Sequence, residues 1–269
     1  MTTPTQLTTA DAASSSGLYF EVHGSGSPVL LVPGTPGDAG QFDELADTLA
    51  RDYLVITYDR VGTSRSTAPP NWTTTTVAGQ ADDAAGLLRS LTTEPAIVYG
   101  TSNGAAVALE LALRHPSVVR RAVLHEMPLL SVLADPEPVG AMLGELIGAA
   151  MDKGGPRAAL DAFLRFAFGD SIVDGWPGEL RDRMLANAEM VFTVELPAFQ
   201  AYRPDERALA SPHAPLEIAV GQQQHAPFFS EAAQWLATRT NSPLVRTPDA
   251  HGPHFSCPER LAATLFAAS

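Results

Sequence analysis

The chain has a single cysteine, Cys257, so no internal disulfide framework holds it together and a reducing compartment is permitted. Basic residues are scarce: 17 Lys and Arg stand against 30 Asp and Glu, a formal net charge of -13. That balance excludes nucleic acid as a partner, because phosphates demand a basic face. No apolar run approaches the roughly 20 residues of a membrane span. The opening MTTPTQLTTADAASSSG has neither the basic n-region nor the apolar h-region of a secretory signal. Residues 1–16 read instead as a disordered Thr/Ser-rich extension. A soluble, cytoplasmic protein without a membrane partner is expected. No H-E-x-x-H, no Cys/His cluster and no G-x-G-x-x-G after a strand occurs, so neither a metal nor an organic cofactor is expected. Internal repeats are absent.

What is present is an ordinary globular composition, 45% hydrophobic and 17% charged, over 269 residues, enough to bury a substantial core. GLYFEVHG alternates apolar and polar residues as a half-buried strand does. PVLLVPG, YLVITYD, PAIVYG and RRAVLHE are short apolar runs ending in Gly, Asp or Glu, and PLEIAVG and PLVRTPDAH resume that pattern later. Such runs suit buried parallel strands with functional loops at their C-terminal ends. The alternation with helical stretches predicts an α/β fold, a mostly parallel eight-stranded sheet flanked by helices. Between residues 127 and 207 the strand pattern vanishes and three helical stretches replace it, so a helical cap is expected to split a core formed by 17–126 and 208–269.

One short stretch carries chemistry. In EPAIVYGTSNGAAVALELALRHP an apolar run breaks at Gly-Thr-Ser-Asn-Gly and leads into a helix rich in small residues. A sharp strand-to-helix turn exposes a serine and strains its backbone, and it tolerates only small residues two positions away on each side. Gly100 and Gly104 occupy those positions around Ser102. YDRVGTSRS offers an internal contrast: it has Gly-Thr-Ser at residues 62–64 but lacks the second glycine and the helix. Ser102 is therefore the candidate nucleophile, and it requires a base and an acid.

Two histidines, His251 and His254, sit between the last strand pattern and the terminal helix, which Pro258 opens. For the acid, the loop after the penultimate strand, IAVGQQQHAPF, has no carboxylate. One strand earlier, RRAVLHEMP ends in Glu126, beside the strand that bears Ser102. Glu126 is assigned as the acid, with Asp249, two residues before His251, as the alternative. Asp59 ends a strand before a Gly/Ser loop and reads as a carboxylate satisfying turn N–H groups.

Taken together, LLVPGTPG, TYDRVGTSRS, YGTSNG and AHGPHFSCPERL resemble the oxyanion loop, D-R-x-G-x-S segment, nucleophile elbow and histidine loop of the α/β-hydrolase superfamily. AVLHEMP is similar to the subgroup with its triad glutamate after the sixth strand, which includes lactonases opening resorcylic macrolactones such as zearalenone. The resemblance implies a serine hydrolase with Ser102, His251 and Glu126 as its triad. The longer reach to the terminal helix favours His251 over His254. It also implies oxyanion donors at the N–H groups of Thr35 and Asn103. Pro33 departs from the family, which usually has histidine there. Haloalkane dehalogenases share the glutamate but use an aspartate nucleophile, unlike Ser102.

The cap is rich in Phe, Met and Trp, among them Phe168 and Trp176, which suggests an apolar inner face. Gly34, Met127, Trp176 and His254 are the expected substrate contacts, with Trp176 able to stack on a ring. The expected partner is a small hydrophobic ester or lactone. A thioesterase, a C–C bond hydrolase and a non-catalytic ligand-binding protein on the same scaffold remain open. So does the oligomeric state, a homodimer included.

Overall fold

A computed structural model of the protein describes residues 17–223 and 226–266. The extension expected at 1–16, and Gln224 and His225 of the acid-free loop, lie outside the described residues. Seven strands form one sheet: β1 (Phe20–Gly24), β2 (Ser27–Val32), β3 (Tyr53–Tyr58), β4 (Ala96–Thr101), β5 (Val119–His125), β6 (Leu216–Gly221) and β7 (Leu244–Thr247). Their order is β1-β3-β2-β4-β5-β6-β7, and every neighbouring pair is parallel except β1 with β3. These strands are the seven apolar or alternating runs read from the sequence. An eighth was expected, and the described residues hold none, because no further run has strand character. Glu126 consequently follows the fifth strand of this sheet rather than the sixth.

Successive residues of each strand face opposite sides, so an uninterrupted apolar run feeds two cores at once. Leu30, Val32, Ile56 and Val98 pack with α2 (Val77–Leu91), α3 (Asn103–Arg114) and α6 (Pro227–Thr240). Val29, Leu31, Val55 and Tyr99 pack on the other face with α1 (Asp43–Leu49) and α7 (Pro258–Leu265). All six residues of β4 are buried, which makes it the centre of the sheet. The chain runs from β2 outward to β3, then crosses back to β4 on the other side of β2. At such a reversal the loops after β2 and β4 part and leave a crevice at the C-terminal edge.

The helical insertion leaves the sheet after β5 and returns at β6, its immediate neighbour. It begins with α4 (Glu137–Phe168), whose axis breaks at Gly154 (φ -155°, ψ 19°) and Gly155 (φ 69°, ψ -164°) just before Pro156. Gly155 adopts a backbone that L side chains rarely take, and Pro156 then starts the second segment with its preset φ. After α5 (Gly178–Ala186) a further helical stretch runs from Ala188 to Ala201, and its middle, Val191–Glu195, is wound as a π-helix. Leu160, Leu164, Phe168, Trp176, Met184 and Val191 give the insertion its own small core. Among the described residues no helix is long and apolar enough to cross a membrane.

Candidate active site

The chain reverses from β4 into α3 within one residue. Ser102 N–H donates to the His125 carbonyl at 2.9 Å, the last rung between β4 and β5, and Asn103 already begins the helix. Ser102 has φ 53° and ψ -131°, a strained conformation costing on the order of 1–3 kcal/mol. The two glycines around it are required by contact. A Cβ on Gly100 would lie 2.8 Å from Ala105 Cα and from Ala108 Cβ, and would also meet the Gly104 carbonyl. A Cβ on Gly104 would be driven into the Val32 carbonyl and would lie 2.6 Å from the Pro33 carbonyl oxygen. Helix α3 is thereby packed on the end of β2, with Ser102 at the crevice and 8% exposed.

Glu126 leaves β5 in a similar way. Its N–H donates to the Ala219 carbonyl at 3.0 Å and its φ is 46°, so a second strained residue stands beside the first. Thr101 pairs with His125 in the ladder, which puts Ser102 and Glu126 on adjacent strands at the same level. The two oxygens of the carboxylate meet different donors. Oε1 accepts the Gly221 N–H at 2.9 Å, and Oε2 lies 2.7 Å from His251 Nδ1. His251 and Glu126 are 1% and 2% exposed. Burial works to raise the Glu126 carboxyl, but the His251 hydrogen bond, the neighbouring imidazoles and the Gly221 N–H outweigh it and hold it down at about 2. With Nδ1 bonded to a carboxylate, the remaining ring nitrogen, Nε2, is free to accept a proton. Among the described residues no hydrogen bond joins Ser102 Oγ to His251, a contact that in such sites commonly tightens only with substrate.

The two alternatives from the sequence take other places. Asp249 bonds to Ser256 Oγ and does not reach His251. His254 is fully buried between Phe42, Phe168 and Phe255, with ring centroids 5.2, 6.0 and 4.5 Å away. Neither of its ring nitrogens has a hydrogen-bond partner. Burial, reinforced by the other two imidazoles, pushes it well below the ordinary histidine range. His125 is likewise pushed down by burial, to about 4, and sits between the hydroxyls of Thr101 and Thr247, each at 3.1 Å.

Thr35 and Asn103 meet across the crevice: Asn103 Nδ2 donates to Thr35 Oγ1 at 2.8 Å. As the first residue of α3, Asn103 carries an N–H that the helix itself does not use. Gly34 is pressed against the serine, since a Cβ there would lie 3.0 Å from Ser102 Cβ and 3.7 Å from Ser102 Oγ. Met127 is buried in the larger core. Trp176 lies in the core of the insertion, 5.7 Å from the Phe168 ring and 5.0 Å from Phe255. The phenyl rings on His251 are instead Phe168, at 5.4 Å, and Phe229, stacked at 4.5 Å with 15° between planes, and the His125 ring stacks on the same imidazole at 6.2 Å. Nothing in the local sequence marks Phe229, the third residue of helix α6.

Three polar contacts bind the insertion to the loops after β2 and β3. Arg183 grips Asp38 with Nε at 2.6 Å and Nη2 at 2.9 Å. Asn187 Nδ2 donates to the Pro36 carbonyl at 3.2 Å and to Ser64 Oγ at 2.8 Å. Glu195 lies 2.9 Å from Arg60 Nη2 through either carboxylate oxygen. Sequence reasoning missed all three, as their partners are far apart in the chain. Asp59 accepts the N–H groups of Ala39 at 2.7 Å and Arg65 at 2.9 Å, and so satisfies the turn.

Comparisons with known proteins add context. A family model for the alpha/beta hydrolase fold matches residues 27–149. The uncharacterized hydrolase YraK of Bacillus subtilis is 43% identical over 116 residues, 43% of each chain. A zearalenone hydrolase of Cladophialophora bantiana is 27% identical over 263 residues, 91% of this chain and 89% of that one. The chain thus spans less than half the length of the first of these relatives and most of the second. Among solved structures, a thermophilic esterase from Thermogutta terrifontis superposes with a TM-score of 0.69 at 26% identity, covering 96% of this chain and 95% of its own.

Proposed function

We propose that this chain, a hydrolase belonging to the α/β-hydrolase superfamily, cleaves a hydrophobic carboxylic ester or lactone through an acyl-enzyme on Ser102. The observation that carries the reading is the buried carboxylate–imidazole pair, Glu126 Oε2 to His251 Nδ1 at 2.7 Å, beside a serine held in a strained turn on the next strand. Glu126 keeps the Nδ1–H tautomer, so His251 Nε2 takes the Ser102 hydroxyl proton as Oγ attacks the carbonyl carbon. The carbonyl oxygen becomes an oxyanion between the N–H groups of Thr35 and Asn103, each worth about 3 kcal/mol in the transition state. Collapse breaks the C–O bond, and His251 returns the proton to the departing alkoxide. Water, deprotonated by the same histidine, then releases the acid and restores Ser102. In a lactone both fragments stay joined, and the product is one hydroxy acid.

The apolar surroundings favour an uncharged substrate. Phe168 and Phe229 flank the imidazole, and Met127 and Gly34 lie close to the two strained residues. An aromatic macrolactone such as zearalenone is the substrate to try first, since the relative matched over most of its length is a zearalenone hydrolase. Intact mass after a fluorophosphonate probe tests the mechanism. The protein should gain one adduct and Ser102→Ala none, and zearalenone should be consumed by the former alone. An adduct or turnover that survives in Ser102→Ala would overturn the assignment.

A further inference from the structure

Arg60 is 1% exposed, and the reading above gives it no task. Its Nη1 donates to Gln80 Oε1 at 2.8 Å, while Nη2 serves Glu195 and also reaches the Gly34 carbonyl at 3.3 Å. That carbonyl collects two more donors, the Gly37 N–H at 2.7 Å and Gln41 Nε2 at 3.2 Å. Three donors on one backbone oxygen are unusual for a loop, and they matter because of what shares its peptide plane. The C=O of Gly34 and the N–H of Thr35 belong to the same trans unit and point in opposite directions. Holding the oxygen against Arg60 and Gln41 therefore turns the Thr35 N–H the other way. Gly34 is itself in contact range of Ser102, and the Thr35 side chain is tied to Asn103 at the start of α3.

We propose that Arg60 is a positioning residue for the oxyanion site, and that Glu195 of the insertion holds it in place. The guanidinium fixes the Gly34–Thr35 peptide plane and, as a cation on the carbonyl, polarises the amide so that the Thr35 N–H donates more strongly. The inference rests on the serine-hydrolase reading. Fastening alone does not account for this ion pair. Arg183–Asp38 and Asn187–Pro36 already fasten the insertion to the loop after β2 that carries Gly34, and apolar residues of similar volume often replace buried ion pairs without loss of stability. A pair of apolar side chains has no donor for Gly34. The π-helical winding at Val191–Glu195 is a further sign, since such irregular turns re-aim a side chain and are frequent at functional sites.

The test is the double substitution Arg60→Met/Glu195→Met, which leaves no unpaired buried charge. Arg60→Lys serves as a second variant: it keeps the charge opposite Glu195 but replaces the planar fork that reaches Gln80, Glu195 and Gly34 together by a single ammonium. Each is compared with the unaltered protein for hydrolysis of p-nitrophenyl butyrate, for thermal unfolding, and for binding of a benzyl trifluoromethyl ketone and its parent alcohol. The ketone forms a tetrahedral oxyanion on the serine, whereas the alcohol only fills the site. In both variants kcat should fall by roughly ten- to a hundredfold, part of what loss of a whole oxyanion donor costs, with KM held. Affinity for the ketone should fall in proportion and affinity for the alcohol should not. A folded variant with unchanged kcat would overturn the proposal, as would ketone and alcohol affinities falling together. If fluorophosphonate fails to label Ser102 in the unaltered protein, the serine-hydrolase reading fails and takes this inference with it. Labelling together with an unchanged kcat in the variants removes this inference alone.

Discussion

Replacing Glu126 by glutamine changes one atom of the site and tests its acid directly. The amide oxygen can still accept the Gly221 N–H, which Oε1 accepts now at 2.9 Å. The amide nitrogen then faces His251 Nδ1, where a carboxylate oxygen stood at 2.7 Å. Two donors cannot share that contact, so Nδ1 becomes the acceptor and the imidazole proton moves to Nε2. A ring protonated at Nε2 has no lone pair for the Ser102 proton. Wrong-tautomer triads lose about 10⁴ in kcat, or about 5 kcal/mol of transition-state stabilisation. The change also has a signature in stability. Glu126 is held at about 2 against an ordinary 4.5, which corresponds to about 3 kcal/mol favouring the folded state when ionised. A carboxyl depressed on folding contributes above its unfolded value and loses that contribution as pH falls toward the folded one. The unaltered protein should therefore shed this stability between pH 4.5 and about 2, and Glu126→Gln should lack that part of the acid dependence. The assays are kcat on p-nitrophenyl butyrate and urea unfolding across that range. Asp249→Asn is the companion variant, expected to stay near the unaltered rate because Asp249 bonds to Ser256. A folded Glu126→Gln that keeps more than a tenth of the rate would refute the reasoning, as would a larger loss in Asp249→Asn.

Two other substitutions probe the frame around the site. Gly104→Ala drives a methyl group into the backbone carbonyls of Val32 and Pro33, neither of which can yield. The melting temperature should drop by roughly 5–10 °C, and an unchanged value in differential scanning fluorimetry would contradict the contact argument. His254→Phe puts a fourth apolar ring beside Phe42, Phe168 and Phe255, where a neutral imidazole has no hydrogen-bond partner. Because burial depresses His254 below its ordinary value of 6.5, it costs stability as pH falls below that value, and phenylalanine has no such cost. Urea midpoints at pH 7.5 and pH 5 should converge in the variant while kcat stays within about tenfold. An inactive but folded variant would transfer the role of base to His254.

The parts of this molecule legible in its sequence are those encoded by local contact. The turn from β4 through Ser102 into α3 can be read because Gly100 and Gly104 are both within two residues of it, and each is forced by a backbone atom nearby. The seven strands can be read because each is an apolar or alternating run bounded by Gly, Asp or Glu. The pairing of Glu126 with His251 spans 125 positions, yet it is accessible by elimination, since the loop after β6 offers no carboxylate. Elimination has no purchase on Arg60 and Glu195. They are 135 positions apart, and although Arg60 belongs to the D-R-x-G-x-S segment, nothing near either residue points to the other. Trp176 shows the same limit: the sequence marks it as an aromatic in a loop, but of its two ring neighbours only Phe168 is near in the chain, and Phe255 comes from the distant histidine loop. Hydrophobic period predicts that the inserted helices have an apolar face. It does not say whether a given ring on that face meets the insertion's own core or the imidazole.

β5 and β6 are parallel neighbours, so the chain leaving the C-terminal end of one must cross to the N-terminal end of the other, a span set by the strands and not by the insertion's length. In modular terms the insertion is a cassette with a fixed socket, and chains of other sizes could be spliced between β5 and β6 without moving either strand. The socket nevertheless has keys. Asp38, the Pro36 carbonyl and Arg60 are buried on the core side and are met from the insertion by Arg183, Asn187 and Glu195. A transplanted cassette that omits these three would leave Arg60 buried without its carboxylate and take a donor from Asp38 and from the Pro36 carbonyl. Grafts that carry all three should fold far more often than grafts matched only for length and hydrophobicity.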